Sequence, residues 1–161
     1  MDEPRTIMPI GTLQLDDEAA TGRLARALAR LLMPGDVVAL SGPLGSGKTC
    51  LVRAIVRALG RPDEEVPSPT FTLVQTYELP DFTLWHFDLY RIESPNEAHE
   101  LGFEDALAGG VSMIEWPERL GAALPSDCLR IDLDFGPERG VRRAALSGPG
   151  SWAARLRDIA A

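Results

Sequence analysis

Gly42-Pro43-Leu44-Gly45-Ser46-Gly47-Lys48-Thr49 satisfies every specified position of the pattern G-x-x-x-x-G-K-[ST]. Val37-Val38-Ala39-Leu40 runs into it, a short apolar stretch suited to a parallel strand buried on both faces. Leu51, Val52, Ile55, Ala58 and Leu59 follow at helical spacing. Strand, glycine loop and helix in that order make a phosphate cradle, because successive backbone N–H groups turn inward and the helix N-terminus adds partial positive charge. The expected nucleotide-binding residues are Gly42, Gly45, Ser46, Gly47, Lys48, Thr49 and Cys50. Lys48 is expected to reach the β- and γ-phosphates of a nucleoside triphosphate, and the Thr49 hydroxyl to bind Mg²⁺. A chance match on a glycine-rich turn is the competing explanation, and the flanking strand and helix argue against it. Pro43 lacks an N–H but stands at the start of the turn, ahead of the donors from Gly45 to Thr49.

Outward from the loop, Thr12–Leu15 reads as a first short strand, and Asp16-Asp17-Glu18 places acidic residues at a helix start. Ala20, Leu24, Ala27, Leu28, Leu31 and Leu32 give that helix one apolar face, which Pro34-Gly35 ends. Arg61–Pro69 is a proline-rich loop. Phe71–Tyr77 alternates as a strand, Leu79-Pro80-Asp81 turns the chain, and Thr83–Asp88 is another strand. Ser94 with Glu97 has the pattern of a capping box, and helical character continues through Glu104–Leu107. Val111–Ile114 is a buried strand ending at Glu115, and Glu118 begins a helix after Pro117. Leu129–Phe135 and Val141–Leu146 read as a late antiparallel pair, and Trp152–Ala160 as a terminal helix. The pattern predicts an α/β fold: a P-loop NTPase-like sandwich with a mainly parallel central sheet, antiparallel additions and helices on both faces.

Such a loop needs a second magnesium partner and a group that orients the attacking water. Asp88 and Glu115 are the candidates, since each follows a short apolar run at the carboxyl end of an expected strand, the edge where α/β sheets bind ligands. Asp88 in Trp85-His86-Phe87-Asp88 suits a Walker-B metal role, and Glu115 suits positioning or polarising a water, or serving the metal itself. Either could instead be a strand-end carboxylate that caps the next helix. Thr70, in Ser68-Pro69-Thr70-Phe71-Thr72, sits where a switch can sense the γ-phosphate, although an ordinary turn would look the same. Trp116 is read as either a ring that meets nucleotide or partner, or a core aromatic. His86 and His99 lack ligand spacing for a metal, and His86 is expected to be packed or hydrogen-bonded near the sheet edge.

At 161 residues the chain is expected to be a single domain spanning 1–161, with globular proportions of 45% apolar and 25% charged residues. No apolar run approaches the roughly 18 residues that cross a bilayer, and Met1-Asp2-Glu3-Pro4-Arg5 lacks the basic-then-apolar pattern of an export signal. Cys50 and Cys128 stand alone, which suits a reducing cytoplasm and a role as buried filler. A net charge of −8 argues against gripping nucleic acid directly, and the pairs Arg142-Arg143 and Arg155/Arg157 read as solvated surface. Arg91 is expected to pair with a carboxylate rather than act as an arginine finger.

Taken together, the segments resemble the TsaE (YjeE) family of small bacterial ATPases of tRNA threonylcarbamoyladenosine formation. The marks are Gly42–Thr49, Ser68-Pro69-Thr70-Phe71-Thr72-Leu73-Val74, His86-Phe87-Asp88-Leu89-Tyr90-Arg91, Glu100-Leu101-Gly102-Phe103 and Ile114-Glu115-Trp116-Pro117-Glu118. Pro43 and Ser46 depart from the acidic residue and alanine usual there. The resemblance implies ATP and Mg²⁺ on Lys48 and Thr49, a Walker-B-like Asp88, a switch at Thr70 and a functional pair Glu115-Trp116. It also implies TsaB-like and TsaD-like protein partners, with tRNA met only through their complex. Two other classes compete. A small-molecule kinase would need an arginine-rich lid, and a GTPase would need an Asn-Lys-x-Asp string; the sequence has neither.

Overall fold

The computed structural model describes residues 6–159. The stretch Met1–Arg5, read for an export signal, lies outside the described residues, as does Ala160 of the expected terminal helix. In chain order the elements are β1 (Met8–Leu15), α1 (Glu18–Ala29), β2 (Val37–Ser41), α2 (Lys48–Ala58), β3 (Val74–Glu78) and β4 (Thr83–Asp88). Then come α3 (Asn96–Glu100), α4 (Phe103–Gly109), β5 (Val111–Glu115), a 3₁₀ stretch Pro117–Ala123, β6 (Leu129–Phe135), β7 (Arg142–Gly148) and α5 (Gly150–Arg155).

Among the described residues seven strands form one sheet, in the order β1-β7-β6-β2-β5-β4-β3. The central four, β6, β2, β5 and β4, run parallel. β7 with β1 on one side and β3 on the other are added antiparallel. Side chains alternate across a strand, so each parallel strand feeds two cores. Val38 and Leu40 of β2 and Met113 of β5 pack with Leu24 and Leu28 of α1 and Leu51 and Ile55 of α2. Val37, Ala39, Phe87 and Ile114 pack on the opposite face with Phe103 and Ala106 of α4 and with Leu120. This is the expected mixed α/β sandwich, with helices on both faces.

Local chemistry explains where the elements start and stop. Asp17 caps α1 by accepting the Ala20 N–H at 2.9 Å. That helix ends at Ala29, before the apolar Leu31 and Leu32, which pack beyond it. β1 begins at Met8, earlier than Thr12, and carries an irregularity between Pro9 and Gly11. β3 begins only at Val74, because Leu73 takes a left-handed conformation (φ 67°) and donates to Pro69 O at 2.7 Å, which turns Phe71–Leu73 away from the ladder. Half of the expected capping box at α3 forms: Glu97 Oε2 accepts the N–H groups of Glu93 and Ser94, whereas no side chain caps the helix at its N-cap, Pro95. α5 is shorter than expected, ending at Arg155, which clamps Asp36 through Nη1–Oδ1 (3.0 Å) and Nη2–Oδ2 (2.7 Å).

Leu40 is fully buried in the central strand immediately before the loop. Leu40→Ala should lower the unfolding free energy by about 2–5 kcal/mol, as core truncation does; urea titration of wild type and variant measures it.

Candidate functional site

The site begins where β2 leaves the sheet. Gly42 has φ +144°, and a Cβ there would stand 2.2 Å from Leu133 O and 2.6 Å from Ser46 Oγ. No side chain fits against β6 at that point. Gly45 (φ +81°) and Gly47 (φ +105°) carry the chain through left-handed turns, and Ser46 N–H closes the loop on Pro43 O at 3.1 Å. Gly47 is the N-cap of α2 and supplies no side-chain acceptor, so the first N–H groups of this helix stay open toward the loop.

Lys48, buried at the head of α2, donates from Nζ to Gly42 O at 2.5 Å and Pro43 O at 3.2 Å, and lies 4.2 Å from the centre of the Trp116 ring. Desolvation pushes its ammonium below the ordinary 10.5, against the opposing pull of Glu115, Asp88 and Glu118. The same carbonyls crowd the start of the loop, so Lys48 holds the cradle in shape as well as carrying charge into it.

Asp88 and Glu115 stand side by side, paired across the parallel strands β4 and β5. The Glu115 carboxylate accepts the Thr49 hydroxyl at 2.9 and 3.1 Å and meets His86 Nε2 at 2.5 Å. Asp88 Oδ1 accepts the Tyr90 N–H at 3.1 Å, while Oδ2 faces the hydroxyls of Ser68 and Thr70, each at a long 3.4 Å. Those two hydroxyls are 2.8 Å apart, and the turn bearing them is stitched to β4 by Asp88 N–H on Leu73 O at 2.9 Å. Trp116 adopts a left-handed conformation (φ 59°) directly before Pro117, a kink that swings its ring over Lys48 and against Tyr90.

A cavity of about 440 Å³ results, lined by Gly45, Gly47, Lys48, Thr49, Cys50, Thr70, Asp88, Glu115 and Trp116, together with Ser68, Tyr90 and Arg91. A second cavity of about 450 Å³ opens on the other side of the loop and adds Ser46 and Arg142. Gly42 lines neither, and its part is to let the loop leave the sheet. Cys50 is exposed rather than buried filler, because it sits at the helix head beside both openings. Cys128 is buried, and burial pushes its thiol upward. Arg91 lies 4.8 Å from the Phe71 ring and makes no ion pair among the described residues, in place of the expected carboxylate partner. Arg142, read as solvated surface, instead donates to Gly45 O at 3.2 Å and stacks near Phe135. Nothing local marks it: only the pairing of β7 beside β6 carries it to the loop.

A parallel sheet with a glycine loop after a central strand, and carboxylates at the neighbouring strand ends, defines a P-loop NTPase-like fold. The solved structure of Bacillus subtilis YdiB shares it, with a TM-score of 0.74 at 23% identity over 98% of this chain and 96% of that one. The family model for "Threonylcarbamoyl adenosine biosynthesis protein TsaE" matches residues 15–144. Proteins described as tRNA threonylcarbamoyladenosine biosynthesis protein TsaE are similar too. That of Rickettsia felis is 43% identical over 76% of this chain and 71% of its own length. That of a Nostoc species is 37% identical over 88% of each. The chain belongs to the TsaE family.

The depressed Lys48 ammonium sets a pH dependence. Between its folded value and 10.5 the unfolded chain binds more protons than the folded one, so unfolding free energy rises with pH across that window. Lys48→Met should abolish this slope and gain relative to wild type as pH falls below it. Urea titrations of both proteins from neutral pH upward give the difference.

Proposed function

We propose that this protein is a Mg²⁺-dependent ATPase that supports N6-threonylcarbamoyladenosine formation in tRNA by acting on a TsaB–TsaD-like protein complex in the cytoplasm. The carrying observation is the meeting of Thr49, Glu115 and Asp88 at the mouth of the Gly42–Thr49 loop, around a cavity large enough for a phosphate chain. A side-chain-free approach at Gly42 and the open amides at the head of α2 suit phosphate oxygens. Among the described residues no group of three or more His, Cys, Asp or Glu could hold a metal alone. Magnesium suits that pattern, since it takes few protein ligands and completes its shell with water and phosphate.

Thr49 and Asp88 are the groups that would hold Mg²⁺, with Glu115 available to either the ion or the water. The ion would neutralise charge on the phosphates. Lys48 supplies a second positive charge next to the loop. Glu115, which accepts the Thr49 hydroxyl, would align and polarise the attacking water. Thr70, hydroxyl toward Asp88, is placed to sense a γ-phosphate. Trp116, over Lys48 and at the cavity rim, is placed to meet nucleotide or partner. The family and the relatives' names support the tRNA-modification role, and a net charge of −8 suits work through protein partners rather than a direct grip on tRNA.

Lys48→Ala and Thr49→Ala should each weaken Mg-nucleotide binding by about 10- to 100-fold, the worth of a charged hydrogen bond. Glu115→Ala should keep binding but slow phosphate release by about 100-fold or more. Calorimetry and phosphate-release assays, run with and without a TsaB–TsaD pair and tRNA, decide it. Normal turnover by Glu115→Ala would refute its role, and phosphate delivered to an added metabolite would point to a kinase.

A further inference from the structure

His86 is the fully buried imidazole of β4, and no step above uses it. It shares a strand face with Leu84 and Asp88, the face turned toward α2. On β5 the same face carries Met113 and Glu115. The His86 ring therefore lies under the Glu115 carboxylate, Nε2 to Oε2 at 2.5 Å, while its Nδ1 has no partner among the described residues. An ionised carboxylate only accepts, so a hydrogen bond to it is donated by Nε2–H. A histidine kept for packing alone would not need a polar ring on a strand face shared with Leu84 and Met113.

We propose that His86 is a positioning residue: its Nε2–H pins Oε2 of Glu115 from beneath the sheet edge, so that the carboxylate presents a fixed face to Thr49 and the cavity. Thr49 and His86 grip Glu115 from two directions, and between them they remove the rotation a glutamate at a strand end otherwise has. Buried partners that orient a functional side chain through its far oxygen or nitrogen are worth about 10- to 100-fold in activity when removed. The inference rests on the role proposed above for Glu115, and adds which residue aims it.

Three substitutions separate aiming from packing. Gln can place an amide N–H where His Nε2–H stands, Asn reaches only as far as Nδ1, and Met fills the volume with no donor. His86→Met and His86→Asn should lower kcat for ATP about 10- to 100-fold, with the Mg-ADP dissociation constant held near wild type, and His86→Gln should recover most of the loss. In a Glu115→Ala background His86→Met should cost nothing more. On the nucleotide-free protein, ¹⁵N spectra of the ring should show the Nε2–H tautomer, with the proton resonance displaced by Glu115→Ala. An Nδ1–H tautomer in wild type, equal losses for His86→Gln and His86→Asn, or losses that multiply with Glu115→Ala would each overturn the proposal. If His86→Met does not fold, the Gln–Asn contrast still decides. A wild-type chain inert toward ATP would sink the proposed function, and the ring spectra would still judge His86.

Discussion

The parallel register of β2, β5 and β4 is the constraint on which the site hangs. Leu40 pairs with Glu115, and Glu115 with Asp88, so β5 and β4 finish level and β2 runs one residue further, to Ser41. Alternation then sends both carboxylates to the face occupied by α2, where Thr49 lies in the first turn of the helix. A slip of one residue in either pairing would turn one carboxylate into the opposite core, against Phe87 and Ile114. The glycine at 42 answers the same constraint from the other side, since the chain leaves β2 so close to β6 that a Cβ there would stand 2.2 Å from Leu133 O. Sheet pairing, loop geometry and helix start are thus one arrangement.

Much of this was legible before any coordinates, and the reason differs by element. β4 and β6 were readable to the residue: β6 alternates apolar Leu129, Ile131, Leu133 and Phe135 with charged Arg130, Asp132 and Asp134 before Gly136, and β4 carries Leu84, Trp85 and Phe87 between the Leu79-Pro80-Asp81 turn and Asp88. The glycine loop was readable because each glycine answers a backbone demand that few other residues meet. β3 was overextended because alternation at Phe71–Leu73 is real in the letters but broken by the left-handed turn at Leu73, which depends on contacts with Asp88 from a later strand. Asp88 and Glu115 could be placed at strand ends. What they touch could not, since His86, Ser68 and Thr70 reach them only through pairing and loop closure. Arg142 was invisible for the same reason: its contact with Gly45 spans the whole sheet in sequence.

The charge arrangement connects the geometry to the kind of ligand it can accept. Lys48 brings one positive charge into a desolvated position, close to the carboxylates of Glu115 and Asp88, with Glu118 adding to their field. Opposed charges in a poorly hydrated cleft interact strongly, so the group is held together but carries excess negative charge at its carboxylate edge. A polyanion arriving alone would meet that excess. One arriving with a divalent cation would not, because Thr49 and Asp88, with Glu115 beside them, would hold the cation and its charge would offset theirs, with the Lys48 ammonium at the loop adding to it. Under the function proposed above, the loop amides would be the neutral donors that position phosphate, and the acids would favour a metal-bearing nucleotide over bare phosphate. Rim residues follow from the same logic: Trp116, backed by the Tyr90 ring, covers Lys48 with an aromatic face that tolerates a cation without competing for it by hydrogen bonding.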